Sequence, residues 1–181
     1  MGLRLLFSAE DIATKVKQLG QEISISYGDS GLVAVGILKG CFMFMADLAR
    51  NIDTPMEIDF ARLASYGDSD TPVSEVRIVK DIEIDIHGKD VLIIDDILDT
   101  GNTLVAFKRH LLEKGAESVK ICTLIDKLQR RQVDITPDYS GFQVKEGFIV
   151  GYGLDHAERY RNLPELYVVD TLSDEAGETE W

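Results

Sequence analysis

Residues 91–104 read VLIIDDILDTGNTL. The stretch opens on an unbroken run of branched apolar residues, Val91-Leu92-Ile93-Ile94. A run without polar alternation predicts a strand buried on both faces, as in a parallel sheet. It stops at two carboxylates, Asp95 and Asp96. Asp99-Thr100-Gly101-Asn102-Thr103 follows, and then helical sequence over 104–114. The order is strand, acidic corner, small-residue loop, helix. In open α/β sheets, ligands bind where strands end and helices begin. A helix N-terminus presents unpaired N–H groups and a partial positive charge, so this loop suits a phosphate. A plain capping role for Thr100 or Thr103 would account for the threonines. It would not account for adjacent carboxylates with a third at Asp99, which repel one another unless a cation or hydroxyl lies between them.

The same grammar recurs on either side. Residues 32–38, LVAVGIL, form a second buried run that ends at Lys39-Gly40, and 41–50 continue with a helical pattern. Residues 119–125 form a third run and end at Asp126-Lys127. Charge placed at the ends of buried strands marks one edge of a sheet as the ligand edge. Ahead of these, Ser8 with Glu10 and Asp11 predicts a capped helix start. Ile12, Val16, Leu19, Ile23 and Tyr27 carry that helix to about Tyr27, although Gly20 inside it costs about 1 kcal/mol relative to alanine. Residues 28–31 form a turn and 56–60 a short strand. Residues 76–79 and 82–86 read as paired strands or a hairpin leaving a polar loop at 64–74. In the helix after the organising stretch, Leu104, Phe107, Leu111 and Leu112 form the apolar face, and Gly115 is its stop signal. A polar connection at 129–138 carries the pair Arg130-Arg131. A last strand spans 166–169, and 171–181 is acidic and expected to fray. The fold class expected is α/β, a mostly parallel sheet flanked by helices, in one domain over 1–181.

Composition narrows the function. The chain has 181 residues, 45% of them hydrophobic, which is enough for a substantial core. Lysine and arginine total 19 against 32 acids, a formal charge of −13. That surface repels nucleic acid and anionic membranes, so anion binding has to rest on local groups and a metal. The N-terminal stretch has too short an apolar part for a signal peptide. No run approaches the ~18 apolar residues of a membrane span. The two cysteines, Cys41 and Cys122, form no Cys-x-x-Cys pair, which points to reduced thiols in the cytoplasm. His87, His110 and His156 lack metal-ligand spacing.

The stretch 91–104 closely resembles the phosphoribosyl pyrophosphate (PRPP) motif of type I phosphoribosyltransferases: a hydrophobic strand, two acids, two apolar residues and Asp-Thr-Gly-x-Thr. Gly36-Ile37-Leu38-Lys39-Gly40 resembles the pyrophosphate loop of the hypoxanthine-guanine members, in which the peptide before the lysine can be cis. Ser65-Tyr66 resembles the dipeptide of that family's flexible loop, so 64–74 is read as a lid over the site. Residues 148–155, FIVGYGLD, with Arg161-Asn162-Leu163-Pro164, resemble its purine-binding region. The resemblance spans about 32–169.

It implies a small hood over the sheet, and transfer of phosphoribose from PRPP to N9 of hypoxanthine or guanine, giving IMP or GMP and pyrophosphate. It assigns Asp95 and Asp96 to the ribose hydroxyls, directly or through Mg2+. Asp99, Thr100, Gly101, Asn102 and Thr103 fall to the 5′-phosphate, with Asp99 also the acid/base at purine N7. Lys127, Phe148, Ile149 and Asp155 fall to the purine, with Asp155 also at a second magnesium. Lys39, Gly40, Ser65, Tyr66 and Arg161 fall to pyrophosphate. Asn102 stands where the family commonly has Arg or Lys, which removes a cation near the phosphate. A homodimer or homotetramer is implied.

Two rivals share the PRPP motif. A nucleic-acid-binding regulator using PRPP as effector would need a basic face, and Arg130-Arg131 on a −13 chain is thin support. A uracil, adenine or orotate transferase would lack Asp126-Lys127 together with 148–155.

Overall fold

A computed structural model describes residues 2–66 and 75–170. The tail 171–181, with Trp181, and residues 67–74 of the proposed lid lie outside the described residues.

The main sheet has six strands. In chain order they are β2 (Leu32–Leu38), β3 (Met56–Tyr66), β4 (Glu75–Lys80), β5 (Asp90–Leu98), β6 (Ser118–Lys127) and β7 (Tyr139–Val144). Their spatial order is β4-β3-β2-β5-β6-β7. All neighbours are parallel except β4, which runs antiparallel to β3. The expected runs are therefore strands buried on both faces. One face holds Leu32, Ala34, Leu92 and Ile94 under helices α1 (Ala9–Tyr27) and α2 (Phe42–Ala49). The other holds Val33, Val35, Val91 and Ile93 under helix α3 (Asn102–Glu113). A second, antiparallel sheet joins β1 (Gly2–Phe7), β9 (Leu166–Asp170) and β8 (Phe148–Val150) in the order β1-β9-β8. This is the hood.

The predicted first helix has the reciprocal cap its acids suggested: the Asp11 backbone donates to Ser8 Oγ at 3.1 Å, and the Ser8 backbone donates to Asp11 at 3.0 Å. Gly20 is explained by packing, since a Cβ there would lie 2.3 Å from the Asn51 carbonyl oxygen.

Several boundaries differ from expectation. Strand β5 does not stop at Asp95 but runs on through Leu98, and α3 starts at Asn102. Strand β3 continues to Tyr66, so 64–66 is strand rather than loop. Residues 82–86 form no strand. The partner of β4 is β3, and the Glu83 and Ile84 N–H groups donate to the Asp59 carboxylate at 2.6 and 3.1 Å. Leu112 is exposed, outside the apolar face of α3. The sequence reading passed over β1 and β7.

The chain leaves β2 for β3 on one side and later enters β5 on the other. The strand order thus reverses between β2 and β5, and the carboxyl ends of these two strands flank the resulting crevice.

Candidate active site

Lys39 and Gly40 follow β2 at this crevice, after a cis Leu38–Lys39 peptide bond. Asp95 and Asp96 lie across from them in the last half of β5. A Cβ on Gly40 would sit 1.8 Å from Asp96 Oδ2. A Cβ on Gly153 would sit 2.1 Å from the Gly40 carbonyl. Only glycines let the β2 turn, the acid pair and the segment after β8 meet this closely. Burial pushes both carboxyls upward from the usual aspartate range, and the neighbouring Asp96 charge raises Asp95 further. Two adjacent carboxylates that burial keeps from ionising freely are a fitting seat for a cation or ribose hydroxyls.

The loop after β5 opens α3 with Gly101 at the N-cap, φ +88°, so neither threonine occupies the capping position. Gly101 makes no side-chain cap, and a Cβ there would lie 2.6 Å from Ile135 and 2.8 Å from Val133. The Asn102 amide donates to Gln132 Oε1 at 2.7 Å.

Asp99, Lys127, Phe148, Ile149 and Asp155 line one cavity of about 210 Å³, together with Asp96 and Arg130. Asp99 Oδ2 faces the Arg130 guanidinium at 3.3 Å, while its Oδ1 is buried without a hydrogen-bond partner. Lys127 is 8% exposed and gives one hydrogen bond to the Gly147 carbonyl at 2.9 Å. An ammonium has three donors, so the remaining ones are available to a ligand acceptor. Phe148 is 49% exposed, its ring held edge-on to His156 with centroids 5.1 Å apart. A core role for this phenylalanine is thus ruled out. Ile149 is buried.

The cations expected at pyrophosphate are engaged by carboxylates. Lys39 Nζ lies 2.8 Å from Glu158, and Arg161 lies 2.7 Å from Asp155 and 3.4 Å from Glu158. Arg161 also donates to the Gly153 carbonyl at 2.8 Å. Asp155 has its other oxygen on the Glu158 N–H at 2.9 Å. Among the described residues, no three His, Cys, Asp or Glu side chains converge as a metal cage, so Asp95, Asp96 and Asp155 are not a preformed ligand set. Ser65 and Tyr66 end β3, beside the undescribed segment.

Sequence reasoning missed three residues here. Glu158 bridges to Lys39 from 119 positions away, which no local pattern signals. Tyr152 lies inside the quoted string but was given no role; its hydroxyl donates to Asp47 on α2 and anchors the purine-side segment. Arg131 was weighed only as a nucleic-acid contact. It instead pairs with the buried Asp126, as Arg130 pairs with Asp99.

Comparison with known proteins agrees with this layout. Residues 6–157 match the family model described as phosphoribosyl transferase domain. A hypoxanthine-guanine phosphoribosyltransferase from Bacillus subtilis is 48% identical over 166 residues, covering 92% of each chain. A hypoxanthine phosphoribosyltransferase from Salmonella typhimurium is 44% identical over 174 residues, covering 95% of this chain and 98% of the relative. A crystal structure of a hypoxanthine-guanine phosphoribosyltransferase from Bacillus anthracis superimposes with a TM-score of 0.88 at 43% identity, over 92% of this chain and 98% of that one. With those similarities added to the switch-point acids and the cavity beside them, the chain belongs to the type I phosphoribosyltransferase family, in its hypoxanthine-guanine branch.

Proposed function

We propose that this protein transfers the 5-phosphoribosyl group of PRPP to N9 of hypoxanthine or guanine, a purine-salvage reaction that yields IMP or GMP and pyrophosphate. The observation that carries the reading is the single cavity lined by Asp99, Lys127, Phe148 and Ile149, opening beside the acid pair at the switch point.

Each residue has a role matched to its surroundings. Phe148 offers an exposed ring on which a base can stack. Lys127 donates to the 6-oxo group, which the 6-amino group of adenine would not accept. The unpartnered Oδ1 of Asp99 accepts the N7 proton of the base as N9 bonds to C1′ and the C1′–O bond to pyrophosphate breaks. Backbone N–H groups at the start of α3 hold the 5′-phosphate, with the Thr100 and Thr103 hydroxyls nearby in sequence. Asp95 and Asp96 accept from the ribose hydroxyls. Lys39, Gly40, Ser65, Tyr66 and Arg161 form the pyrophosphate side. Catalysis then rests on positioning and on electrostatic stabilisation of the leaving group.

Magnesium suits these residues. Adjacent carboxylates supply hard oxygen donors, and Mg2+ is commonly held by one or two carboxylates plus substrate phosphates, not by an all-protein cage. Asp95 and Asp96 would hold it on the ribose side and Asp155 on the pyrophosphate side. When bound, it neutralises charge on the departing pyrophosphate.

The proposal extends to a single domain over 1–181, a cytoplasmic location consistent with two free buried thiols, and a homodimer or homotetramer. Initial rates with PRPP and Mg2+ on a panel of hypoxanthine, guanine, xanthine, adenine and uracil test it. Turnover should be confined to 6-oxopurines and should vanish in excess EDTA. Adenine turnover equal to that of hypoxanthine would overturn the assignment.

A further inference from the structure

The connection between β6 and β7 carries a largely buried guanidinium that the reaction as described does not use. The Arg131 side chain is 15% exposed and its partner Asp126 is 4% exposed. Arg131 Nε donates to the Asp99 carbonyl at 3.1 Å. Its Nη2 faces the Leu98 and Lys127 carbonyls, each at 3.4 Å, as well as the Asp126 carboxylate. Its Nη1 donates to the Ile135 carbonyl. The neighbouring backbone follows the same course, with Gln132 N–H donating to the Thr100 carbonyl at 3.0 Å.

A guanidinium is planar, always charged, and carries five donors in a fixed fork. Acceptors that share one are fixed relative to one another. Leu98 ends β5 and Asp99 follows it, whereas Asp126 and Lys127 close β6. The two side chains proposed to read N7 and O6 of the purine therefore spring from backbone gripped by one rigid head group.

We infer that Arg131 is a positioning residue that fixes the spacing of Asp99 and Lys127, and so sets how strictly the site demands N7 and a 6-oxo group in the same base. The inference rests on the purine site proposed above. The low exposure excludes a solvated surface pair, whose contribution would be small. Lysine at this position keeps the charge beside Asp126, but a single ammonium cannot span the ends of two strands.

The test compares kcat/KM for hypoxanthine, 7-deazahypoxanthine (C–H in place of N7) and 6-mercaptopurine (sulfur in place of O6), in the wild type and in Arg131→Lys, Arg131→Gln and Asp126→Asn, each with a thermal melt. Misplacement by about 1 Å can lower rate about 100-fold. Arg131→Lys should therefore lose roughly 10- to 100-fold with hypoxanthine. It should lose much less with the two analogues, so that both discrimination ratios shrink. A merely structural arginine would lower the melting temperature and scale all three bases alike. Unchanged ratios in folded Arg131→Lys overturn the inference. Should both Arg131 variants fail to fold, Asp126→Asn decides. It keeps the carbonyl contacts but loosens the head group, so its ratios should shrink to a lesser degree, and wild-type ratios there overturn the inference as well. A wild type that treats the three bases alike would instead refute the purine roles of Asp99 and Lys127, and this inference with them.

Discussion

Gly40→Ala places the smallest possible side chain at the tightest point of the crevice. The added Cβ would meet Asp96 Oδ2 at 1.8 Å and Asp96 Cγ at 2.6 Å. Favourable contacts between heavy atoms begin near ~3.5 Å, so the carboxylate and the turn must separate by about 1.7 Å. The turn has little room to withdraw, because the Gly40 carbonyl already packs where a Cβ on Gly153 would be only 2.1 Å away. The acid therefore gives way. A displacement of that size in a substrate-positioning group predicts roughly a 100-fold loss in kcat/KM for PRPP. Overpacking of this kind also costs about 1–3 kcal/mol of stability, which lowers the melting point by several degrees in a chain of this length. Initial rates with PRPP varied at saturating hypoxanthine, beside a thermal melt, read both effects. Gly88→Ala is the control: no heavy atom lies within 4 Å of its Cβ, so activity should survive any cost of its φ of +67°. A folded Gly40→Ala enzyme within about threefold of wild type would refute the view that this contact places Asp96.

Other substitutions test separate parts of the site. Asp99→Asn keeps the shape but removes proton transfer, so kcat should fall by about 10²–10³-fold with little change in KM for PRPP; near-normal kcat would remove Asp99 from the catalytic set. Phe148→Ala should raise KM for the purine about tenfold or more, given ~1–3 kcal/mol for base–aromatic stacking, and leave KM for PRPP unchanged. Asp59 is 8% exposed. Burial opposes its charge, but the Glu83, Ile84 and Phe60 N–H groups and Lys80 prevail and hold its carboxyl below the ordinary value. That stabilisation is complete above the unfolded carboxyl pKa of ~3.9 and is lost as pH falls through the lower folded value. Melts across that acid range should thus be steeper for wild type than for Asp59→Asn, and parallel curves would refute the assignment.

What the sequence made legible has a common physical basis. Strands β2 and β5 are buried on both faces and read as uninterrupted apolar runs, β6 reads as one broken by Lys120 and Thr123, and the charge that ends each run marks the ligand edge. The capped start of α1 was equally plain because Ser8 and Asp11 lie three positions apart. Strand β1 escaped notice because its partner, β9, lies at the far end of the chain and its Leu3 and Leu5 are exposed, which leaves no buried periodicity. Residues 82–86 misled in the opposite direction. Ile82 and Ile86 are buried at strand spacing, yet the backbone between them bonds to the Asp59 carboxylate instead of a neighbouring strand. Apolar alternation reports burial, and the hydrogen-bonding partner is a separate matter that distant residues decide.

That distinction also explains how a chain of net charge −13 can be built for a polyanionic substrate. Lys39 faces Glu158, Arg161 faces Asp155 and Glu158, and Arg130 faces Asp99, so these three cations already have carboxylate counter-ions. The Lys39–Glu158 pair is invisible to local pattern, since its members are separated by 119 positions. The effect of these pairings is to keep the crevice from acting as a broad attractor of anions, because paired charges project little field beyond their own contact. Under the proposed function, a phosphorylated sugar enters by taking over partners that the protein's own carboxylates hold in its absence. Glu158 is well placed to give way, with its side chain 65% exposed and its charge tied only at the tip. Discrimination then falls to groups that do not have to move, namely the glycine-tight seat of Asp96 and the backbone at the ends of β5 and β6 that Arg131 holds together.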